Sequence, residues 1–290
     1  MINFISILKV LMVVIVVNNT VLFGNDIVFE KLNFNVSFFI SSATVDDWKI
    51  GEYKSFEFSN STDIYSKFIV QDLSVNYRLK YAIGLKYEHN NKTKFNDYLP
   101  TDNYINGEVI AKYNIGWKID PYFSLTTNTQ LTESFLVNNG NKIASSNFRD
   151  PITVQEGLGF AYVILSSYSK KLEINFGINY KQIRAEKFTL LTDDRMTKDI
   201  VERYKTESGV QLKCDYFTII DSTVQFKSKL DLFSNFEELT SWQINNENEL
   251  QFKIWNLLGI VLKIDFFYNE KIKPKLFFKQ SVRFGIITNF

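Results

Sequence analysis

Cysteine occurs once in the 290 residues, as Cys214. A single thiol excludes an intramolecular disulfide and any cysteine-cluster metal site. Histidine also occurs once, as His89, which leaves little material for histidine-based catalysis or metal ligation. Proline (4) and glycine (12) are scarce, whereas a soluble β-sandwich or barrel usually carries more of both in its turns. The formal net charge is only +1 and gives no argument for a nucleic-acid partner. Long apolar runs are missing too. After residue 25 nothing approaches the roughly 18 uninterrupted apolar residues of a helical membrane span. If the chain meets a membrane beyond that point, it does so as β-strands.

The first residues, "MINFISILKVLMVVIVVNNTVLFGND", hold Lys9 as the sole charge before Asp26. The apolar run Val10 to Val17 is too short to cross a bilayer. Residues 1–24 are expected to be a secretory signal peptide, with cleavage after Gly24, and residues 25–290 the mature domain. The alternative is a membrane anchor made from residues 4–23, interrupted by Lys9 and the Asn18-Asn19 pair.

Aromatic residues are abundant, with 27 Phe and 15 Tyr, and 45% of the chain is hydrophobic. Yet mean hydropathy is slightly negative, so apolar and polar residues are interleaved. The interleaving has period two. In "LSVNYRLKYAIGLKY" one side carries Leu73, Val75, Tyr77, Leu79, Tyr81, Ile83, Leu85 and Tyr87, and the other Ser74, Asn76, Arg78, Lys80, Ala82, Gly84 and Lys86. A helix would mix these sets on every face; a strand separates them. "VIAKYNIGW", "LEINFGINY", "VQLKCDY", "VQFKSKLDL", "VLKIDFFY" and "LFFKQSVRFGI" repeat the pattern.

Twelve strands are expected, near 31–42, 54–68, 71–88, 104–117, 122–136, 153–167, 171–185, 205–218, 223–234, 241–255, 257–269 and 275–290. The joints at 118–121, 168–170, 219–222 and 256 are short, while 89–103, 137–152 and 186–204 are long and polar. Short turns at one end and long loops at the other suit an all-β, closed, antiparallel, up-and-down transmembrane β-barrel, with both termini at the short-turn end. Several strands have the roughly 9–11 residues that cross a bilayer at a tilt. Trp117 and Trp255 next to short turns, and Tyr104 and Trp242 next to long loops, read as two interfacial girdles. Leu79, Tyr113, Phe176 and Phe226 are expected to face lipid, and Lys80, Lys112, Asn175 and Lys227 the interior.

A sheet in lipid cannot leave an edge unpaired, so the last strand must meet the first, within 27–42. The ending "VRFGIITNF" (residues 282–290) resembles the C-terminal assembly signal of bacterial outer-membrane barrels. "FNVSFFISSATVDDWKIGEYKS", "KFIVQDLSVNYRLKYAIGLKY", "VQFKSKLDLFSNF" and "SWQINNENELQFKIW" together resemble an uncharacterised outer-membrane barrel family of Bacteroidetes and Chlorobi relatives, over roughly residues 31–290. The resemblance implies a barrel in the bacterial cell outer membrane. It implies outer-membrane lipid as surroundings, and the barrel assembly machinery as a partner reading 282–290. It implies no activity.

The residues themselves show little chemistry. No catalytic, cofactor-binding or metal-binding residue is expected. "NNK" and "TDN" lack calcium-loop spacing, and "GLGF" is not a phosphate loop because no helix follows. His89, in "YEHNNK", is near a strand end where a barrel lipid hydrolase would place its base, but no serine pairs with it in sequence. An adhesion or docking role through the three long loops is a further alternative. The polar parity set includes Arg78, Lys80, Glu108, Lys112, Glu173, Lys181, Lys213, Asp215, Lys227, Asp231, Glu249, Lys263 and Arg283. It reads as a mixed-sign interior, either cross-strand ion pairs that fill the barrel or the wall of a narrow channel.

Overall fold

The computed structural model describes residues 27–46, 53–90, 95–138, 141–193, 200–255, 257–269 and 273–289. The signal peptide expected over 1–24 and the terminal Phe290 lie outside them. Twelve strands form the barrel wall: β2 (Asn33–Asp46), β3 (Tyr53–Val70), β4 (Leu73–Asn90), β5 (Phe95–Tyr113), β6 (Ile119–Thr129), β9 (Ile152–Ser166), β10 (Lys170–Arg184), β11 (Tyr204–Ile219), β12 (Val224–Asn235), β13 (Trp242–Lys253), β14 (Leu258–Asn269) and β15 (Lys273–Asn289). Every neighbouring pair is antiparallel, and β15 pairs with β2 from Phe278↔Asp46 to Asn289↔Asn35, which closes the sheet. A short strand, β1 (Ile27–Phe29), continues β2 along the same edge of β3, shifted by one residue in register across Glu30–Leu32. A separate hairpin, β7 (Ser134–Asn138) and β8 (Asn141–Ser146), stands in the connection between β6 and β9.

Turn chemistry fixes one end. Between β3 and β4 the chain reverses in two residues, with Gln71 at φ 53°. Gly116, at φ 76° between β5 and β6, takes a conformation that costs glycine least. Before β12 the Asp221 carboxylate accepts from Thr223 N (2.6 Å), Thr223 Oγ1 (2.7 Å) and Val224 N (2.9 Å).

Side chains alternate across the wall, and contacts between non-adjacent strands show which face is inside. Lys112 on β5 touches Glu173 on β10, although β6 and β9 stand between them. Arg283 on β15 reaches Asp102 on β5 at 2.7 Å, past β2, β3 and β4. Such contacts are chords through the interior. The charged parity set therefore points inward, and the opposite parity, with Tyr113, Leu158, Phe176 and Val282, is exposed on the outside. Soluble barrels have the reverse polarity. Leu79 and Phe226 share the outward parity, and Lys80, Asn175 and Lys227 the inward one, as expected.

Three expectations need correction. The fourth wall strand begins at Phe95 rather than 104, so 89–103 is mostly paired ribbon and not a long loop. The fifth ends at Thr129 rather than 136, because 134–146 folds back on itself as the β7–β8 hairpin. Tyr104 is not in an outer girdle. It shares the inward parity of Lys112 and Glu108 and pairs with Ala82 just before the register shift between Ala82 and Gly84; Asp102, at φ 45°, lies in the resulting bulge, and the Lys80 amine is 5.6 Å from the Tyr104 ring centre. The other three keep their places at the ends: Trp117 and Trp255 are exposed in short turns, and Trp242 is exposed at the long-loop end.

Candidate functional site

The interior of the barrel is where the chemistry-bearing side chains converge. Three glutamates there are each gripped by two lysines. Glu173 contacts Lys112 and lies 3.2 Å from Lys171; Asn175 Nδ2 also donates to it, at 3.1 Å. Glu207 is 3.0 Å from both Lys181 and Lys205. Glu249 is 3.8 Å from Lys227 and 3.4 Å from Lys263. The arrangement follows from register. Lys181↔Glu207, Lys227↔Glu249 and Glu249↔Lys263 are directly opposite pairs, the geometry in which opposite charges on one sheet face attract.

The opposite pattern occurs at Arg283. Its guanidinium lies 2.7 Å from Asp102 and 3.9 Å from Glu57, and its carbon is 5.9 Å above the Phe39 ring. Glu57 and Arg283 are among the most buried charged residues of the described chain. Arg78 holds Asp63 with both Nε (2.7 Å) and a terminal nitrogen, a two-pronged grip that fixes orientation as well as charge. Neutral groups extend the network: Asn179 donates to Gln211 at 2.9 Å, and Gln211 donates to Asp231 at 2.8 Å. Beside them a cavity of ≈ 90 Å³, lined by Gln155, Lys181, Asn245 and Phe267 among others, has room for a few water molecules.

The interior is thus charged and of mixed sign, as the sequence indicates, but it is not wholly polar. Phe39, Phe233, Phe277, Leu99 and Ile183 are buried on inward-facing positions, and Phe267 packs against Phe277 with ring centres 6.1 Å apart. Glu57, Asp63, Asp102 and Glu207 were missing from the sequence-derived set. Glu57 and Asp63 were legible in principle: Glu57 alternates with Phe56 and Phe58. Asp102 was not, because it lies before residue 104, where the strand was expected to begin.

His89 is the next-to-last residue of β4, opposite Lys54 on β3 and Asn96 on β5. Neither facing position is a serine. Among the described residues no group of three or more His, Cys, Asp or Glu is arranged to hold a metal ion.

No curated protein matches this sequence. Solved structures of similar fold include the COG4313 outer membrane channel from Pseudomonas putida F1, 11% identical, covering 93% of this chain and 100% of that one at a TM-score of 0.45. The translocator domain of the autotransporter NalP from Neisseria meningitidis is 11% identical, with 98% and 96% covered at 0.40. The NanC porin is 11% identical, with 86% and 98% covered at 0.40. At the level of sequence, the family model "Protein of unknown function, DUF481" matches residues 59–290, from the second wall strand to the end, and the chain belongs to that family.

Proposed function

We propose that this chain spans the outer membrane of a bacterial cell as a barrel with surface-exposed loops, and that its interior is closed by its own side chains or passes only small solutes. The observation that carries the reading is the inverted polarity of a closed wall. Lys–Glu–Lys clusters and the Arg283 chord are inside, while large aliphatic and aromatic residues cover the outside. Lipid would satisfy such an exterior, and closure leaves no unpaired backbone edge for it to meet. Export by residues 1–24 and recognition of 282–290 by the assembly machinery belong to the same proposal.

The closed-interior reading follows from the pairing. A mixed-sign lining that pairs across the lumen fills the space it would otherwise leave to water, and twelve strands is a size between small filled barrels and open porins. The test is reconstitution of purified protein into planar lipid bilayers. Insertion with small or absent current steps is the expected outcome. Large, steady, porin-like conductance would make it an open pore, and failure to enter lipid would overturn the membrane reading.

A further inference from the structure

The outward face of β12–β15 breaks the apolar rule at mid-height. On β13 the outward row reads Trp242, Ile244, Asn246, Asn248, Leu250 and Phe252, so its centre is two amides. Asn248 stands about midway between Trp242 at one rim and Trp255 at the other. Opposite Asn248 on β12 is Ser228, and opposite it on β14 is Ile264. Ile264 in turn pairs with Gln280, which interrupts the outward row Leu276, Phe278, Val282, Phe284 and Ile286 of β15.

These groups bond to one another only in part. Ser228 Oγ donates to Asn248 Oδ1 at 2.8 Å. Asn248 Nδ2 donates to Asn246 Oδ1 at 2.6 Å and to the Ile264 carbonyl at 3.1 Å. Asn246 Nδ2 donates to the Lys229 carbonyl at 3.2 Å. One N–H of Asn246 and lone pairs on Ser228 Oγ and Asn248 Oδ1 remain. Gln280 is exposed, and its amide has no hydrogen-bond partner among the described residues. Acyl chains offer nothing to such groups.

We propose that this face is the interface with a second copy of this chain, a reading that rests on the membrane location proposed above. The patch is complementary to itself. A twofold axis through Ile264 of β14 brings Gln280 of one copy to Asn246 and Asn248 of its partner, and the reverse, as an isologous contact requires. The Gln280 carbonyl accepts the spare Asn246 N–H, and its NH2 donates to the spare acceptors of Asn248 and Ser228. Ile264, exposed between the two halves of the patch, meets its own copy at the axis.

The test uses the full chain in native membranes, with Cys214→Ser to remove the lone thiol. Ile264→Cys should be linked to a dimer by a short bismaleimide, and Leu158→Cys, exposed on the far wall, should not. Replacing Asn246, Asn248 and Gln280 together by leucine should raise the dimer dissociation constant at least tenfold by sedimentation in detergent. The barrel should stay folded, read by heat-modifiable migration, because leucine suits lipid better than an amide. Equal linking at both positions overturns the proposal. So does a monomer at every concentration, including one whose patch is covered by a lipid or another protein. Protein that fractionates as a soluble species overturns the membrane reading and the dimer with it.

Discussion

Arg283 crosses the interior to Asp102 and Glu57, and its side chain is 6% exposed against 16% and 3% for theirs. Removing one partner from a buried pair leaves an uncompensated charge, at a cost of about 3–5 kcal/mol. Arg283→Ala takes one cation away from two buried carboxylates at once and is expected to fall in that range, read as unfolding free energy in urea from phospholipid vesicles. Lys227→Ala is the contrast. Its side chain is 50% exposed and its amine lies 3.8 Å from Glu249, which keeps Lys263, so its loss should cost no more than about 1 kcal/mol. Equal effects would mean that the interior is fully hydrated. On the other face, Phe176 projects outward from the middle of β10. Phe176→Arg should cost about 2–4 kcal/mol in lipid if it lies near the bilayer midplane; a neutral result would place it in water.

Single elements show how far the sequence could be read. β10 was expected at 171–185 and spans Lys170–Arg184, because polar inward residues alternate with an apolar outward row along most of its length. β5 was misjudged for the opposite reason. Above the bulge at Asp102 its ribbon with β4 carries Asn96, Asp97, Pro100 and Thr101, turn-forming residues whose pattern gives no period. The pairing there is imposed by β4, not by local preference. The interior site was legible as a parity class but not as a set of partners, since parity says nothing of which strands face each other across a lumen. The turn before β12 supports a prediction of its own. The Thr223 hydroxyl and N–H, with a further bond from Val224 N, hold the Asp221 carboxyl below the usual carboxylate range. A depressed carboxylate contributes stability that is fully present above the unfolded-state value, about 3.9, and is lost as pH falls through the lower folded-state value. Asp221→Asn should therefore narrow the stability difference between neutral and strongly acidic pH, seen in parallel urea titrations. An unchanged difference would mean that these bonds are not kept in solution.

For the molecule as a whole, closure depends on the β15–β2 seam. Residues 282–289 pair with 35–42, and Gly285 lies so close to β2 that an added Cβ would stand 1.7 Å from the Phe38 carbonyl oxygen. Deleting 282–290 removes most of that seam and opens two edges, so folded, heat-modifiable protein should fall to near background in membrane fractions. Leu190→Ala, in the connection between β10 and β11, should leave it unchanged. Normal assembly of the truncated chain would show that another strand can close the ring. The wall itself is of unequal height. β3, β4 and β5 have 18, 18 and 19 residues, and β12, β13 and β14 have 12 each. Six further residues add about 20 Å along a strand. The β7–β8 hairpin rises on the tall side as well, next to β5. The mouth is therefore cut on a slant, a parapet facing a low sill. In the membrane location proposed above, a molecule gliding along the bilayer plane would reach the opening freely over β12–β14 and be turned aside from the direction of β4.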